Sequence, residues 1–257
     1  MQAILYVAHG TRSQAGVTEA KNFISYYMKH VPVPIQVMSF IDFVFPAVHE
    51  GIDLCVAKGA KNIAIVPLLL LEAGHAKNDL PKMIKEAKKK YPHITFTYSP
   101  PFGVHDYMVD AIIDRLQEHG PMKQDASILL IARGSSDVSI LKDLQHIIEK
   151  LKAKIYVRKI SVCYLAAQTP TLQVGLDQHI TYGAKHIYVV PYLLFTGLLM
   201  QHIEKTVDVM QRENQAYDVH LCTQIGKSEA ITPYMYERIQ QVTKDRSISD
   251  GVLSYMD

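Results

Sequence analysis

Residues Gln2-Ala-Ile-Leu-Tyr-Val-Ala-His9-Gly10-Thr-Arg-Ser13 and Ala126-Ser-Ile-Leu-Leu-Ile-Ala-Arg133-Gly134-Ser-Ser-Asp137 are two copies of one pattern, an apolar run closed by a polar residue and a glycine. Gly10 and Gly134 are 124 residues apart. The same displacement carries Pro46 to Pro170, Gly51 to Gly175, Gly59-Ala-Lys61 to Gly183-Ala-Lys185 and Val66-Pro67 to Val190-Pro191. Late in each copy the displacement falls by one, so that Gly103 stands opposite Gly226. So many anchors at one spacing define an internal repeat, and a repeat decides the fold before any single element does. The split falls near Gly120-Pro121, giving an N-terminal domain over 1–122 and a C-terminal domain over 123–257.

Within the first copy, Ile4–Val7, Ile35–Phe40, Ile63–Leu70 and Ile94–Tyr98 read as strands. Their near-continuous apolarity belongs to a sheet covered on both faces. Val17, Ala20, Phe23, Ile24, Tyr27 and Met28 keep helical spacing, as do Ile84, Ala87 and Tyr91. Strand–helix–strand units of this kind build parallel sheets with right-handed crossovers. The expected architecture is therefore α/β, two homologous doubly wound parallel-sheet domains facing each other across a cleft.

Composition narrows the class. Of 257 residues 48% are hydrophobic and 20% charged, which rules out a disordered chain. A net charge of +2 lacks the basic excess of a nucleic-acid binder. The longest apolar run, Ile63–Leu71, is about half a membrane span and contains Pro67. The opening Ala3-Ile-Leu-Tyr-Val-Ala8 has neither a basic region nor a cleavage site, so no secretory signal is expected. Cys55, Cys163 and Cys222 are too scattered for a disulfide framework or a zinc ribbon, and a cytoplasmic location is the expectation. Walker, GxGxxG, GxSxG and CxxC motifs are all missing.

In open parallel sheets, ligands bind beyond the carboxyl ends of the strands. His9 follows the first strand, Asp42 the second, and His75 the third after Glu72-Ala-Gly74. With strand order 2-1-3-4 these three ends are neighbours, and two imidazoles with a carboxylate suit a divalent first-row metal while leaving positions open for a substrate. A single histidine at a strand end is ordinarily a hydrogen-bonded loop residue. The repeat favours the metal reading, because the counterparts of His9, Asp42 and His75 are Arg133, Ala166 and Leu199. Prolines and glycines matched between copies are scaffold, and the triad occurs in one copy only.

Around these residues, Gly10 permits a tight turn, and Thr11 and Ser13 are good helix caps. Arg12, Lys77 and the Arg133-Gly-Ser135-Ser136-Asp137 turn could contact carboxylates. Leu68–Leu71 and Leu193–Met200 are either core or the apolar wall of a cleft. His30, His49, His93, His105, His119, His146, His179, His186 and His220 read as solvated surface, whereas His202 could line the cleft.

The segments His9-Gly-Thr-Arg12, Ser39-Phe-Ile-Asp42-Phe-Val-Phe-Pro46 and Val66-Pro-Leu-Leu-Leu-Leu-Glu-Ala-Gly-His75-Ala-Lys-Asn-Asp79 resemble the class II tetrapyrrole chelatases. Arg133-Gly-Ser-Ser-Asp137 and Val190-Pro-Tyr-Leu-Leu-Phe-Thr-Gly-Leu-Leu-Met200 resemble the C-terminal half of the two-domain sirohydrochlorin ferrochelatases of siroheme synthesis. The resemblance implies a lyase that inserts Fe²⁺ into sirohydrochlorin, with no permanent cofactor. The metal is substrate, and Co²⁺ or Ni²⁺ could replace it. It implies His9 and His75 as metal ligands and proton acceptors, with Asp42 assisting directly, through a water, or by taking up protons. Relatives commonly carry glutamate at that place, one methylene longer. It further implies that Phe45, Leu70, Leu71, Glu72, Ala73 and Gly74 contact the tetrapyrrole, and that Arg12, Lys77, Arg133, Ser135 and Ser136 meet its carboxylates.

Three alternatives stay open: a cobaltochelatase of the cobalamin route, a non-catalytic tetrapyrrole or metal carrier, and, less favoured, a two-domain sugar or phosphate binder. The plain tail Val252–Asp257 leans toward iron. The duplication implies a monomer containing an internal pseudo-dimer, binding sirohydrochlorin and a divalent metal, with no nucleic-acid or membrane partner.

Overall fold

The computed structural model describes residues 1–123 and 125–243, so the tail Val252–Asp257 lies outside the described residues. The first copy runs β1 (Gln2–Ala8), α1 (Gln14–His30), β2 (Ile35–Phe40), α2 (Val48–Ala57), β3 (Asn62–Leu68), a π-helical turn (His75–Asp79), α3 (Leu80–Lys90), β4 (Thr95–Tyr98) and α4 (Asp106–Gln117). The second runs β5 (Ala126–Ala132), α5 (Ser139–Lys154), β6 (Lys159–Tyr164), α6 (Leu172–Thr181), β7 (His186–Tyr192), α7 (Leu198–Glu213), β8 (Asp218–Leu221), a 3-10 turn (Ile225–Lys227) and α8 (Ile231–Thr243).

Each copy forms a four-stranded, all-parallel sheet, ordered β2-β1-β3-β4 and β6-β5-β7-β8. The expected α/β class and the strand order 2-1-3-4 are both met. β1 and β5 are buried along almost their whole length, as central strands covered on both faces must be. The matched glycines Gly51 and Gly175 permit close packing of helix on sheet. A Cβ on Gly51 would come within 2.7 Å of Leu5 Cδ1 and 2.9 Å of Ser39 Cβ, and one on Gly175 within 2.9 Å of Cys163 Cβ. The one-residue deletion also has a place: Asn62 pairs with Thr95 in the first sheet, and His186 with Asp218 in the second.

The compact units do not follow the expected boundaries of 1–122 and 123–257. Among the described residues, one unit comprises Met1–Phe102 with Thr232–Thr243, and the other Gly103–Ile231. The helix that closes each repeat is thus packed in the other repeat's unit. In the second unit α4 is tied down by Asp114, which accepts from Ser228, and by Arg115 and Glu118, which bond Thr223. In the first unit α8 carries Arg238, buried to 1% exposure, with its guanidinium 4.3 Å from the Phe102 ring centroid. Arg238 donates to the carbonyls of Pro67 and Pro100, and Tyr234 donates to that of Phe102. An arginine fork satisfying carbonyls at the end of β3 is chemistry that no hydrophobic pattern announces.

One reading needs correction inside the second unit. His179 is fully buried, not solvated surface. Its Nε2 lies 2.7 Å from Ser161 Oγ and its Nδ1 2.8 Å from Ser127 Oγ, while burial lowers its pKa to about 4. The repeat counterparts of Ser127, Ser161 and His179 are Ala3, Val37 and Cys55, which are apolar core in the first unit. A hydrogen-bonded polar trio therefore replaces an apolar one on the same frame. The three cysteines are free and buried, and burial pushes each thiol up to about 12.

Candidate metal centre

The strand register aligns the site. Ala8 pairs with both Phe40 and Leu68, so β1, β2 and β3 end level with one another. His9, Asp42 and His75 leave these ends one, two and seven residues later. The loop after β2 is stitched to the turn after β1: the N–H of Ile41 donates to Ala8 O at 3.0 Å, and that of Asp42 to His9 O at 2.9 Å. Gly10 has φ of 89°, and a Cβ there would lie 1.9 Å from the Asp42 carbonyl oxygen. Only glycine fits that backbone and that contact.

The second unit repeats the stitch without the ligands. Ala166 N–H donates to Arg133 O at 2.9 Å, and Gly134 has φ of 84°. Phe43 and Ala167, at matched positions, both have φ near 60°, and the bonds preceding Pro46 and Pro170 are both cis. The frame is duplicated in detail, and among the described residues only the first copy sets a His–Asp–His group at these carboxyl strand ends.

One donor atom from each of His9, Asp42 and His75 lies within 4.8 Å of the other two. The two rings meet edge to face with centroids 4.7 Å apart, and His75 Nε2 is 3.9 Å from Asp42 Oδ2. Nitrogen donors about 2.1 Å from an ion stand at most about 4.2 Å apart, so these three are a small side-chain adjustment from a coordination set. Their hydrogen bonds fix the ring roles. His9 Nδ1 is 2.9 Å from Gly10 O, and His75 Nδ1 is 2.7 Å from Asp79 Oδ2. A carbonyl and a carboxylate accept only, so each ring carries its proton on Nδ1 and keeps Nε2 as the basic nitrogen. Backbone or carboxylate support of this kind is how metal-binding imidazoles are oriented. The His75–Asp79 bond depends on the π-helical turn, which brings the two side chains together at the entrance to α3.

Asp79 escaped the sequence reading as a functional residue, although the spacing His75-x-x-x-Asp79 was its signal. So did Phe43. It is 59% exposed in a left-handed backbone conformation, with the Arg12 guanidinium 4.9 Å from its ring centroid. Phe45 is 78% exposed. β3 ends at Leu68, two residues before the expected limit, where its partner β1 ends; Leu69 O instead accepts from Phe102 N–H. Leu68 is therefore core, Leu69 packs against it, and Leu70, Leu71, Ala73 and Gly74 are half-buried. Glu72 and Lys77 are exposed. Arg133 and Ser136 are exposed in the second unit, where Ser135 Oγ accepts from Asp137 N–H.

A duplicated parallel α/β frame with one His–Asp–His set at the carboxyl ends of its strands defines a two-unit α/β protein with a candidate divalent-metal site. Its family follows from comparison. The CbiX family model matches residues 3–119 and again 127–242, and the chain belongs to that family. It is 36% identical over 256 residues to the sirohydrochlorin ferrochelatase of Priestia megaterium, covering 99% of this chain and 96% of the relative. It is 33% identical to the sirohydrochlorin cobaltochelatase of the same organism, covering 94% of this chain and 80% of the relative. The solved structure of SirB from Bacillus subtilis with Fe³⁺ superposes with a TM-score of 0.85 at 34% identity, covering 94% of this chain and 95% of SirB.

Proposed function

We propose that this chain is a sirohydrochlorin ferrochelatase, a lyase that inserts Fe²⁺ into sirohydrochlorin to give siroheme. The observation that carries the reading is the convergence of His9, Asp42 and His75 at level strand ends, in a chain similar over its full length to sirohydrochlorin chelatases.

Insertion must remove two pyrrole N–H protons and exchange the ligands of the ion for ring nitrogens. His9 Nε2, its ring held by Gly10 O, accepts the two pyrrole protons in turn, giving up the first through Asp42 to solvent before it takes the second. His75 Nε2 holds the incoming Fe²⁺ and releases it to the macrocycle, its ring fixed by Asp79. Asp42, half-exposed and 3.9 Å from His75 Nε2, neutralises charge at the ion and passes protons to solvent. Donors that converge without closing tightly suit an ion that must leave with the product. Phe43, Phe45, Leu70 and Leu71 offer apolar surface to a flat macrocycle, with Glu72, Ala73 and Gly74 in the segment that leads to His75. Exposed Arg12 and Lys77 suit its carboxylates, as do Arg133, Ser135 and Ser136 of the second unit. No nucleotide is required, since the preference of the ion for a dianionic macrocycle drives the reaction. We place the enzyme in the cytoplasm, where free cysteines stay reduced, and take the monomer as its working form. No described helix is long and apolar enough to cross a membrane.

The cobalt reading has one specific support, the 33% identical cobaltochelatase. The test is an anaerobic optical assay of sirohydrochlorin with Fe²⁺, Co²⁺ and Ni²⁺. Enzyme-dependent, multiple-turnover insertion fastest with Fe²⁺ supports the proposal. Preference for Co²⁺ assigns the cobalamin route, and binding without turnover leaves a carrier.

A further inference from the structure

A second set of metal-ligating side chains stands in the second unit, at the beginnings of its strands. His186 opens β7 and Asp218 opens β8, and the two are register partners. His220, two residues on, shares the sheet face of Asp218. Asp218 Oδ2 lies 3.1 Å from His186 Nδ1 and 3.1 Å from His220 Nε2. The second of these is not directed as a hydrogen bond, and His220 Nε2, shielded from solvent, has no other hydrogen-bond partner among the described residues. The imidazole rings lie nearly parallel, 6.2 Å apart, and Tyr188 stacks against His220 at 4.6 Å. Asp125, in the segment entering β5, brings Oδ1 to 3.8 Å from His186 Nε2.

The logic of the duplication applies a second time. In the first sheet the places of His186, Asp218 and His220 are taken by Asn62, Thr95 and Thr97, and Met1 stands opposite Asp125. None of these is a strong ligand for a first-row metal ion. The scaffold therefore does not require the cluster. Nor does the proposed chemistry, because Arg133 and the carboxylate-binding turn lie at the other end of β5.

We propose that His186, Asp218 and His220 form a second, non-catalytic site for a divalent first-row transition ion. One donor from each already lies within 4.8 Å of the other two, and Asp125 is placed to supply a further carboxylate. Two imidazoles and a carboxylate favour Zn²⁺, Co²⁺, Ni²⁺ or Fe²⁺ over Mg²⁺ or Ca²⁺, which take oxygen donors. A bound ion would join β7 to β8 and, through Asp125, to the start of β5, so it should stabilise the fold on binding.

The test uses tag-free, chelator-stripped full-length protein carrying His9→Ala and His75→Ala, which removes the first site. Anaerobic titration with Co²⁺ should show one bound ion, with visible d–d absorption, and Zn²⁺ should raise Tm. Adding His186→Ala and His220→Ala should abolish both signals while the far-UV circular dichroism remains native. Asp218→Asn, which keeps the hydrogen-bonding shape, should weaken Co²⁺ binding at least tenfold. Absence of a bound ion in the first variant, or its persistence after the added substitutions, would overturn the proposal and leave a histidine–aspartate ion-pair cluster. These readouts need no tetrapyrrole, so they stand or fall apart from the proposed ferrochelatase activity.

Discussion

Asp79 Oδ2 stands 2.7 Å from His75 Nδ1, across the π-helical turn that follows β3. Through that bond a residue outside the metal set decides which nitrogen of His75 faces the ion. Asp79→Ala is expected to lower kcat/KM for the metal by about 10- to 100-fold, the usual cost of losing an orienting partner. Asp79→Asn, whose amide oxygen can still accept the Nδ1 proton, should recover much of it. Steady-state insertion at varied metal concentration checks this, with KM for sirohydrochlorin unchanged.

Phe43 combines an exposed aromatic ring with φ of 62°, and Ala167 holds the same backbone conformation in the second unit. A left-handed non-glycine residue costs on the order of 1 kcal/mol, and glycine relieves it. Ala167→Gly and Phe43→Gly should therefore leave Tm unchanged or slightly raised. Only Phe43→Gly should raise KM for the tetrapyrrole, because it also removes the ring and the partner of Arg12. Thermal denaturation beside substrate titration separates the two effects.

His179 links stability to pH. Its pKa falls from 6.5 to about 4 on folding, so between those values the unfolded chain binds the extra proton. Its contribution is intact above pH 6.5 and is lost as pH falls toward 4, by about 3 kcal/mol in all. Replacing Ser127, Ser161 and His179 by the Ala, Val and Cys of the first unit should flatten this dependence at little cost near pH 7, since exchanging all partners of a buried polar group for apolar ones is close to neutral. His179→Ala alone leaves the buried Ser127 hydroxyl and the half-buried Ser161 hydroxyl without their imidazole and should destabilise the protein at every pH. Urea denaturation from pH 4.5 to 7.5 distinguishes the three proteins.

What the sequence disclosed and what it concealed divide along physical lines. Apolar runs and matched glycines and prolines carry backbone geometry, so the α/β class and the tight turns at Gly10 and Gly134 were legible from the repeat, whereas the strand order 2-1-3-4 was a supposition and is supplied by the structure. His9, Asp42 and His75 could be singled out because strand ends in this architecture converge and the second copy lacks them. Their proximity, which the structure provides, is independent of that reading. Asp79 was overlooked because its i, i+4 spacing from His75 is common, and only the π-helical turn shows that the two side chains meet. The packing of α4 and α8 was hidden as well. Helix periodicity shows which face is apolar, not which sheet receives it, and the guanidinium of Arg238 beneath Phe102 is a contact between residues distant in sequence. His179 was misread as surface because a histidine reports its burial only through its neighbours.

The account rests on His9 and His75 as the residues that take the pyrrole protons and hold the ion. Its most direct test is multiple-turnover insertion of Fe²⁺ into sirohydrochlorin by wild type, His9→Ala and His75→Ala, with tetrapyrrole binding measured in parallel. We predict that both variants bind the macrocycle within a few-fold of wild type and lose at least about 100-fold in turnover, as expected on removing a general base or a metal ligand. Turnover at the wild-type rate in both variants would contradict it.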